Sequence, residues 1–276
     1  MYDIIGSIAT YNNDKNILSK AIKSFLDTEL NIKLYIIDNS PTDYLRGVCV
    51  HPKTEYIFND NNMGFGAAHN IVMRKMIDNT KYFLILNPDV YFKSGTLEQL
   101  RIFMDSNRDV GLVMPKVLYP DGSSQRLCRL LPDPYDLVLR KIDIKMFNPI
   151  IARRKSRYEL GFADYNKMMD VPYLSGCFMF IRTEALKKVG IFDERFFLYL
   201  EDVDLSRRIN YAYRNVYFPD AQIYHTYERG SNKDIRLLWQ IILSAIKYFN
   251  KWGWFFDRRR SAVNSVTINR ISGRGQ

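Results

Sequence analysis

In the N-terminal half of the chain, apolar positions fall into short runs separated by stretches of helical spacing. IIGSIA at 4–9 is an apolar run of strand character. After Asn16, the residues Ile17, Leu18, Ala21, Ile22, Phe25 and Leu26 repeat with helical period. KLYIID at 33–38 and EYIFN at 55–59 read as the second and third strands, and GFGAAHN opens the next helix. YFLILN at 82–87 is a fourth strand and TLEQLRIFMDSN at 96–107 a further helix. This alternation predicts a mostly parallel sheet with helices on both faces. Such sheets bind ligands beyond the carboxyl ends of their strands. Thr10-Tyr11-Asn12, Asp38-Asn39-Ser40 and Asn87-Pro88-Asp89 all fall at those ends, so three polar clusters are expected on one edge.

After Val110 the rhythm changes. VGLVMPKVLYPDGSSQ reads as a strand, a Pro-Asp-Gly turn and a returning strand. The segment 126–167 mixes basic and bulky apolar residues without a clear period, which suggests a mobile flap or an acceptor-side insertion. VPYLSGCFMFIRTEALKKVG predicts a buried strand feeding a short helix, and EDVDLSRRINYAYR predicts a helix over 201–213. Beyond Lys233, Ile235, Leu238, Trp239, Ile242, Ala245, Ile246 and Phe249 form an amphipathic helix ahead of a basic tail. No internal repeat is visible.

Composition narrows the class. The 276 residues are 47% hydrophobic and 25% charged, which is ordinary for a folded chain with its own core. Cys49, Cys128 and Cys177 stand far apart without a CxxC pair, so the expectation is a reducing compartment and no zinc site. The N-terminus lacks the pattern of a signal peptide, and no apolar run is long enough for a spanning helix. The net charge of +10 suits an anionic partner. No helix-turn-helix, zinc-finger or RNP-type motif accompanies it, so nucleic acid is not expected. The bases cluster with aromatic and apolar residues at 126–157 and 247–260, a mixture that suits a lipid headgroup layer.

Several positions carry candidate chemistry. A carboxylate after the second strand, Asp38, is suited to a ribose hydroxyl or a base N–H, or equally to a turn. Gly64 and Gly66 precede a helix whose N-terminus favours an anion. Asp89 offers oxygens to a divalent cation that also holds substrate phosphates. Glu201 and Asp204 would share one helix face while Asp202 points about 100° away from Glu201. His225 is one of three histidines in the chain.

The order of these signals is more specific than any one of them. Ala-Thr-Tyr-Asn, IIDNS, NMGFGAAHN, LNPDV, SGCFMFIRTEAL, GIFDERFFLYLEDVDLSRR and a lone histidine follow one another from Ile4 to Ser231. Together they resemble family-2 inverting glycosyltransferases, most closely the bacterial rhamnosyltransferase-like branch. The resemblance implies an α/β protein of the GT-A fold, with a Rossmann-like central sheet flanked by helices and a C-terminal amphipathic helical extension. It divides the chain into a transferase domain over 1–231 and an extension over 232–276. Within the domain, 1–117 would bind the nucleotide sugar and 118–231 the acceptor.

By the same resemblance, Thr10, Tyr11 and Asn12 would line the nucleotide pocket, with Asp38 on the base or ribose. Gly64, Phe65, Gly66 and Asn70 would flank the nucleotide and diphosphate. Asp89 matches the last acid of an Asp-x-Asp metal motif whose first position is Asn87 here. Asp202 matches the general base, and His225 a histidine that ligates the metal in some members. The implied cofactor is Mg²⁺ or Mn²⁺, leaning on the substrate diphosphate because one carboxylate is missing. The implied donor is dTDP-rhamnose, with UDP-hexoses or UDP-galactofuranose as alternatives. The implied acceptor is a glycan or lipid-linked glycan of a bacterial cell-envelope polysaccharide, and the implied location is cytoplasmic, peripheral at the inner face of the membrane. A nucleotide-sugar-binding protein without turnover is the competing expectation.

Overall fold

The structure is a computed structural model that describes residues 1–141, 149–226 and 235–273. The middle of the 126–167 segment, the expected boundary at 231 and the last residues of the tail lie outside the described residues.

Strands β1 (Tyr2–Thr10), β2 (Ile32–Asp38) and β3 (Thr54–Phe58) alternate with helices α1 (Lys15–Leu26) and α2 (Phe65–Met76). Then come β4 (Thr80–Leu86), a short β5 (Val90–Phe92), α3 (Thr96–Ser106), β6 (Val110–Leu118) and β7 (Ser124–Gln125). Two helices, α4 (Pro134–Lys141) and α5 (Pro149–Tyr158), fill the segment that showed no period. They are followed by β8 (Met169–Asp170), β9 (Phe178–Arg182), α6 (Thr183–Val189), α7 (Glu201–Asn210) and β10 (Arg214–His225). The chain closes with α8 (Ile235–Trp252) and α9 (Arg258–Ile271).

All the strands join one sheet in the order β3-β2-β1-β4-β9-β6-β10-β5, with β7 on β6 and β8 on β10. The first four strands of that order run parallel, and β9 is antiparallel to both β4 and β6. A continuous buried cluster underlies the sheet from Ile4 on β1 to Ile223 on β10. The expected nucleotide and acceptor halves therefore share one core.

Register decides what meets at the edge. Thr10 pairs with Asp38, and Asp38 with Phe58, so these strands end level. Leu86 pairs with Ile8 on one side and Phe178 on the other, which brings Asn87 and Cys177 to the same level. His225 pairs with Val90, one residue beyond Asp89. The long β10 carries a register shift between Phe218 and Gln222 that accommodates Pro219.

A second, smaller core lies at the C-terminal side. Leu131, Tyr173, Phe196, Leu200, Val203, Tyr248 and Phe249 pack together, joining α7 and α8 to the chain that leads into α4. Arg207 is buried here against Asp257 at 2.6 Å and lies 4.2 Å from the Trp252 ring. Asp204 accepts from Arg208 Nε at 2.8 Å and Trp252 Nε1 at 2.8 Å. These bonds tie the C-terminal helices to α7. The expected basic tail is a helix instead: α9 starts at an Asp257 cap on Arg260 N and buries Arg260 and Thr267.

The expected amphipathic helix is α8. Ser244, Tyr248 and Phe249 face the core, whereas Ile235, Leu238, Trp239, Ile242, Leu243 and Ile246 are exposed. Apolar residues thus occupy a second, outward face. Among the described residues no helix is long and apolar enough to cross a membrane.

Candidate active site

The edge is built from strand ends and one helix N-terminus. Thr10 is buried at the end of β1, and its carbonyl accepts from Asn39 N at 2.9 Å. Tyr11 is exposed, and Asn12 takes the left-handed conformation with its N–H on Ser40 Oγ at 2.9 Å. Asp38 is fully buried. Its Oδ1 accepts from Ser40 N at 2.9 Å and its Oδ2 from Tyr56 OH at 2.6 Å. Burial and this bond push the Tyr56 hydroxyl well above the usual phenol range, so it stays a donor. Each Asp38 oxygen keeps one further lone pair for an incoming N–H or O–H.

Gly64 opens α2 at φ 84°, and a Cβ there would lie 2.2 Å from the Phe197 carbonyl oxygen. That oxygen accepts from Phe65 N at 2.9 Å, and only glycine permits so close a crossing. Gly66 packs on Phe192 in the same way. Asn70, expected beside the diphosphate, is buried with its amide committed elsewhere. Its Nδ2 donates to Phe192 O and Glu194 Oε1, and its Oδ1 accepts from Phe192 N. In this structure it pins the 192–194 turn to α2.

Asp89 and His225 meet. Asp89 Oδ2 lies 3.3 Å from His225 Nε2, and Asp89 Oδ1 is buried without a hydrogen-bond partner. Gln125 sets the ring. Its Nε2 donates to His225 O at 2.7 Å, which turns its Oε1 toward His225 Nδ1 at 3.0 Å. An acceptor at Nδ1 calls for the Nδ1–H tautomer and leaves the Nε2 lone pair facing a carboxylate. A carboxylate oxygen and an imidazole nitrogen facing each other offer two ligands to a divalent cation such as Mn²⁺ or Mg²⁺. Gln125 is the outer partner that metal-binding imidazoles generally have. Among the described residues no group of three or more histidine, cysteine or acidic side chains forms a closed cage. Asn87, half-buried beside Asp89, is held through its backbone by Cys177 O at 2.9 Å.

Asp202 sits in the first turn of α7. Its Oδ2 accepts from Tyr173 OH at 3.0 Å and Gly176 N at 2.9 Å, and among the described residues its Oδ1 accepts only from Val203 N at 2.8 Å. A Cβ on Gly176 would stand 3.1 Å from Asp202 Cβ. Gly176 holds Asp202 while the next residue, Cys177, holds Asn87, two residues before Asp89, so one short turn contacts both segments. The buried Cys177 thiol is pushed up to about 12, by burial first and then by Asp89 and Asp202.

Ahead of α7, Tyr199 and Leu200 have φ of 70° and 68°. Left-handed conformation at two bulky residues stores strain. It turns Glu201 inward and Asp202 toward the edge. Glu201 is buried with an unpartnered Oε2, and burial, followed by the Asp202 charge, raises its carboxyl well above the usual range. It keeps its proton where Asp202 is the group at the open edge.

Sequence reasoning assigned no role to Gln125, Tyr173 or Gly176. The Ser-Gly-Cys stretch did stand among the motifs, and a glycine ahead of a buried strand marks close backbone approach. Nothing local distinguishes Gln125 or Tyr173, whose partners are distant in the chain.

The comparisons follow this geometry. N-acetylglucosaminyl-diphospho-decaprenol L-rhamnosyltransferase of Mycobacterium tuberculosis is 26% identical over 256 residues, spanning 85% of this chain and 80% of that protein. Rhamnosyltransferase WbbL of Escherichia coli is 23% identical, spanning 96% and 97%. The fold matches a crystal structure of GalNAc-T7 with UDP, GalNAc and Mn²⁺ at TM-score 0.62 and 14% identity, over 83% of this chain and 44% of that one. It matches Staphylococcus aureus TarS 1-349 at TM-score 0.58 and 15% identity, over 99% and 72%. The model of glycosyl transferase family 2 matches residues 7–190, from the first strand through the Gly176 turn to the end of α6. The chain therefore belongs to glycosyl transferase family 2 and is a glycosyltransferase of GT-A fold.

Proposed function

We propose that this enzyme transfers rhamnose from dTDP-rhamnose, with inversion, to a hydroxyl of a lipid-linked glycan in bacterial surface polysaccharide synthesis. The observation that carries the reaction type is Asp202. Its Oδ2 is anchored by Tyr173 and Gly176, while among the described residues Oδ1 has only the N–H of the following residue. An anchored carboxylate with an open oxygen is suited to take the proton of an attacking hydroxyl. Attack from the Asp202 side expels the nucleoside diphosphate from the opposite face of the sugar, which inverts the anomeric centre. Glu201, kept protonated by burial, is the poorer base.

Asp38, Thr10, Tyr11 and Asn12 would receive the nucleoside, and the α2 N-terminus at Gly64, Phe65 and Gly66 the diphosphate. Asp89 and His225 would hold a divalent ion, with Asn87 beside it. The ion would supply positive charge to the departing diphosphate. Asn70 would act at a distance, by holding the 192–194 turn under α2. Rhamnose rests on the names of both rhamnosyltransferase relatives, and the lipid-linked acceptor on that of the Mycobacterium tuberculosis one.

The outward face of α8 continues into Trp254, Phe255 and Phe256, and Phe256 is 99% exposed. Arg258 and Arg259 follow. Exposed aromatics beside arginines suit an anionic bilayer surface, which would place the enzyme peripherally at the inner face of the cytoplasmic membrane. Thermal-shift screening tests the donor. Stabilisation by dTDP-rhamnose, enhanced by Mn²⁺, is the expected result. Stabilisation by a UDP-hexose or UDP-galactofuranose alone would replace rhamnose.

A further inference from the structure

A cavity of about 200 Å³ lies between α4, α5 and α9. Its floor is Leu130 and Leu131, and Asn264 of α9 clamps Leu131 by both its N–H and its carbonyl at 2.9 Å. The adjoining residue, Arg129, pairs with Tyr173, the residue that holds Asp202. The cavity is therefore coupled to the base through a single strand bridge.

Its walls are charged. Asp133 and Asp136 cap each other's backbone N–H at 3.0 Å, and both pair with Arg154. Arg260 is buried and spends its donors on the carbonyls of Pro132, Gly253, Trp254 and Phe255, so its charge meets no acid. Arg157, Ser261 and Ser265 also line the cavity, and their side chains have no partner among the described residues. Arg154 is engaged by the two aspartates and Arg260 by carbonyls, so the lining keeps one net positive charge, with the Arg157 guanidinium and two hydroxyls still free to donate. This set suits a phosphate-type anion. The volume is below the roughly 300–1,000 Å³ of sites for whole small ligands, so it fits a headgroup better than a sugar nucleotide.

The surroundings indicate which molecule carries that anion. Phe255 lines the cavity and stacks near Tyr135 at 5.7 Å, and both rings are exposed. Phe256 and the outward face of α8 extend the same apolar surface. A free anion has no use for an aromatic rim, whereas a diphosphate on a lipid tail does. Building on the lipid-linked acceptor reading above, we infer that this cavity binds the diphosphate headgroup of the acceptor lipid, through Arg157 and the Ser261 and Ser265 hydroxyls, while the tail lies along Phe255 and Phe256.

The test is co-flotation of the full chain with phosphatidylcholine vesicles. One set is doped with polyprenyl diphosphate and the other with phosphatidylglycerol at matched surface charge, each with and without inorganic pyrophosphate as competitor. The inference expects about tenfold tighter binding to the diphosphate vesicles, reversed by pyrophosphate. Arg157→Ala, and separately Ser261→Ala with Ser265→Ala, should reduce that binding to the phosphatidylglycerol level. All three positions are on the surface of the cavity, and circular dichroism checks that the variants fold. Equal binding to the two vesicle types would assign the charge to bulk anionic lipid and overturn the inference, as would a preference that survives in both variants. The readout involves no turnover, so failure here is separable from failure of the glycosyl-transfer reading, which donor consumption by the wild-type enzyme measures by itself.

Discussion

Gly176→Ala is the sharpest single perturbation of the proposed base. The added Cβ would sit 3.1 Å from Asp202 Cβ and 3.3 Å from its Oδ2. Carbon atoms prefer separations of about 3.5–4.0 Å, so Asp202 must retreat by a few tenths of an ångström. Gly176 does not have a left-handed φ, so the backbone accepts alanine and the effect is steric. The retreat lengthens the 2.9 Å bond from Gly176 N to Oδ2. A hydrogen bond to a charged group contributes about 1.5–3 kcal/mol. At about 1.4 kcal/mol per decade, its loss in the transition state lowers kcat about 10- to 100-fold. Overpacking at this buried site costs about 1–3 kcal/mol of stability, so the melt establishes that the variant is folded. Steady-state kinetics with donor and acceptor varied separately, beside a thermal melt, gives the readout. A kcat within twofold of wild type in a folded variant would refute the claim that this turn positions the base.

Four further outcomes follow from the same contacts. Tyr173→Phe deletes the other anchor on Asp202 Oδ2 and should lower kcat about tenfold with an unchanged donor KM, read by the same kinetics. Gln125→Leu frees the His225 ring and should raise the Mn²⁺ concentration for half-maximal activity about 10- to 100-fold, measured by metal titration. Glu201→Gln tests the buried acid: its folded pKa is raised, so below about pH 4.3 both states are protonated and nothing is lost. Above that pH the unfolded chain releases the proton and the native one keeps it, so wild-type stability falls by up to about 1.4 kcal/mol per pH unit until the folded pKa is reached, and urea melts of the glutamine variant should lack this slope. Asp257→Ala leaves Arg207 buried without its acid and should cost about 3–5 kcal/mol, read in the same melts.

The strand and helix order of the first half was legible because each element there is a local pattern. Apolar runs such as Phe83–Leu84–Ile85 between turn residues need no distant partner to be recognised. The ends of β1, β2 and β4 could be placed on one edge because parallel strands end together. Other elements were hidden. Strand β10 was not recognised, and the sheet absorbs the proline within it, Pro219, as a register shift. Helices α4 and α5 were masked by dense basic residues that dilute the apolar period. The period of α8 was legible as amphipathic, but not which of its apolar residues face the core, since periodicity tells which residues share a face and not what covers it. In the site, the acids and glycines stood out by type. Gln125, Tyr173 and the inward turn of Glu201 depend on contacts between distant segments and on strain at Tyr199 and Leu200. Asn70 shows the reverse: its place in a motif suggested a ligand contact, and its amide is spent on Phe192 and Glu194.

The central claim is that Asp202 takes the proton of the acceptor hydroxyl. Its most direct test is the single-turnover rate of Asp202→Asn, with donor affinity measured in parallel by calorimetry. The amide keeps the size of the side chain and removes the base. The account predicts that transfer falls by about 10²- to 10⁴-fold while the donor binds as it does to wild type. Transfer at the wild-type rate with donor bound would contradict it.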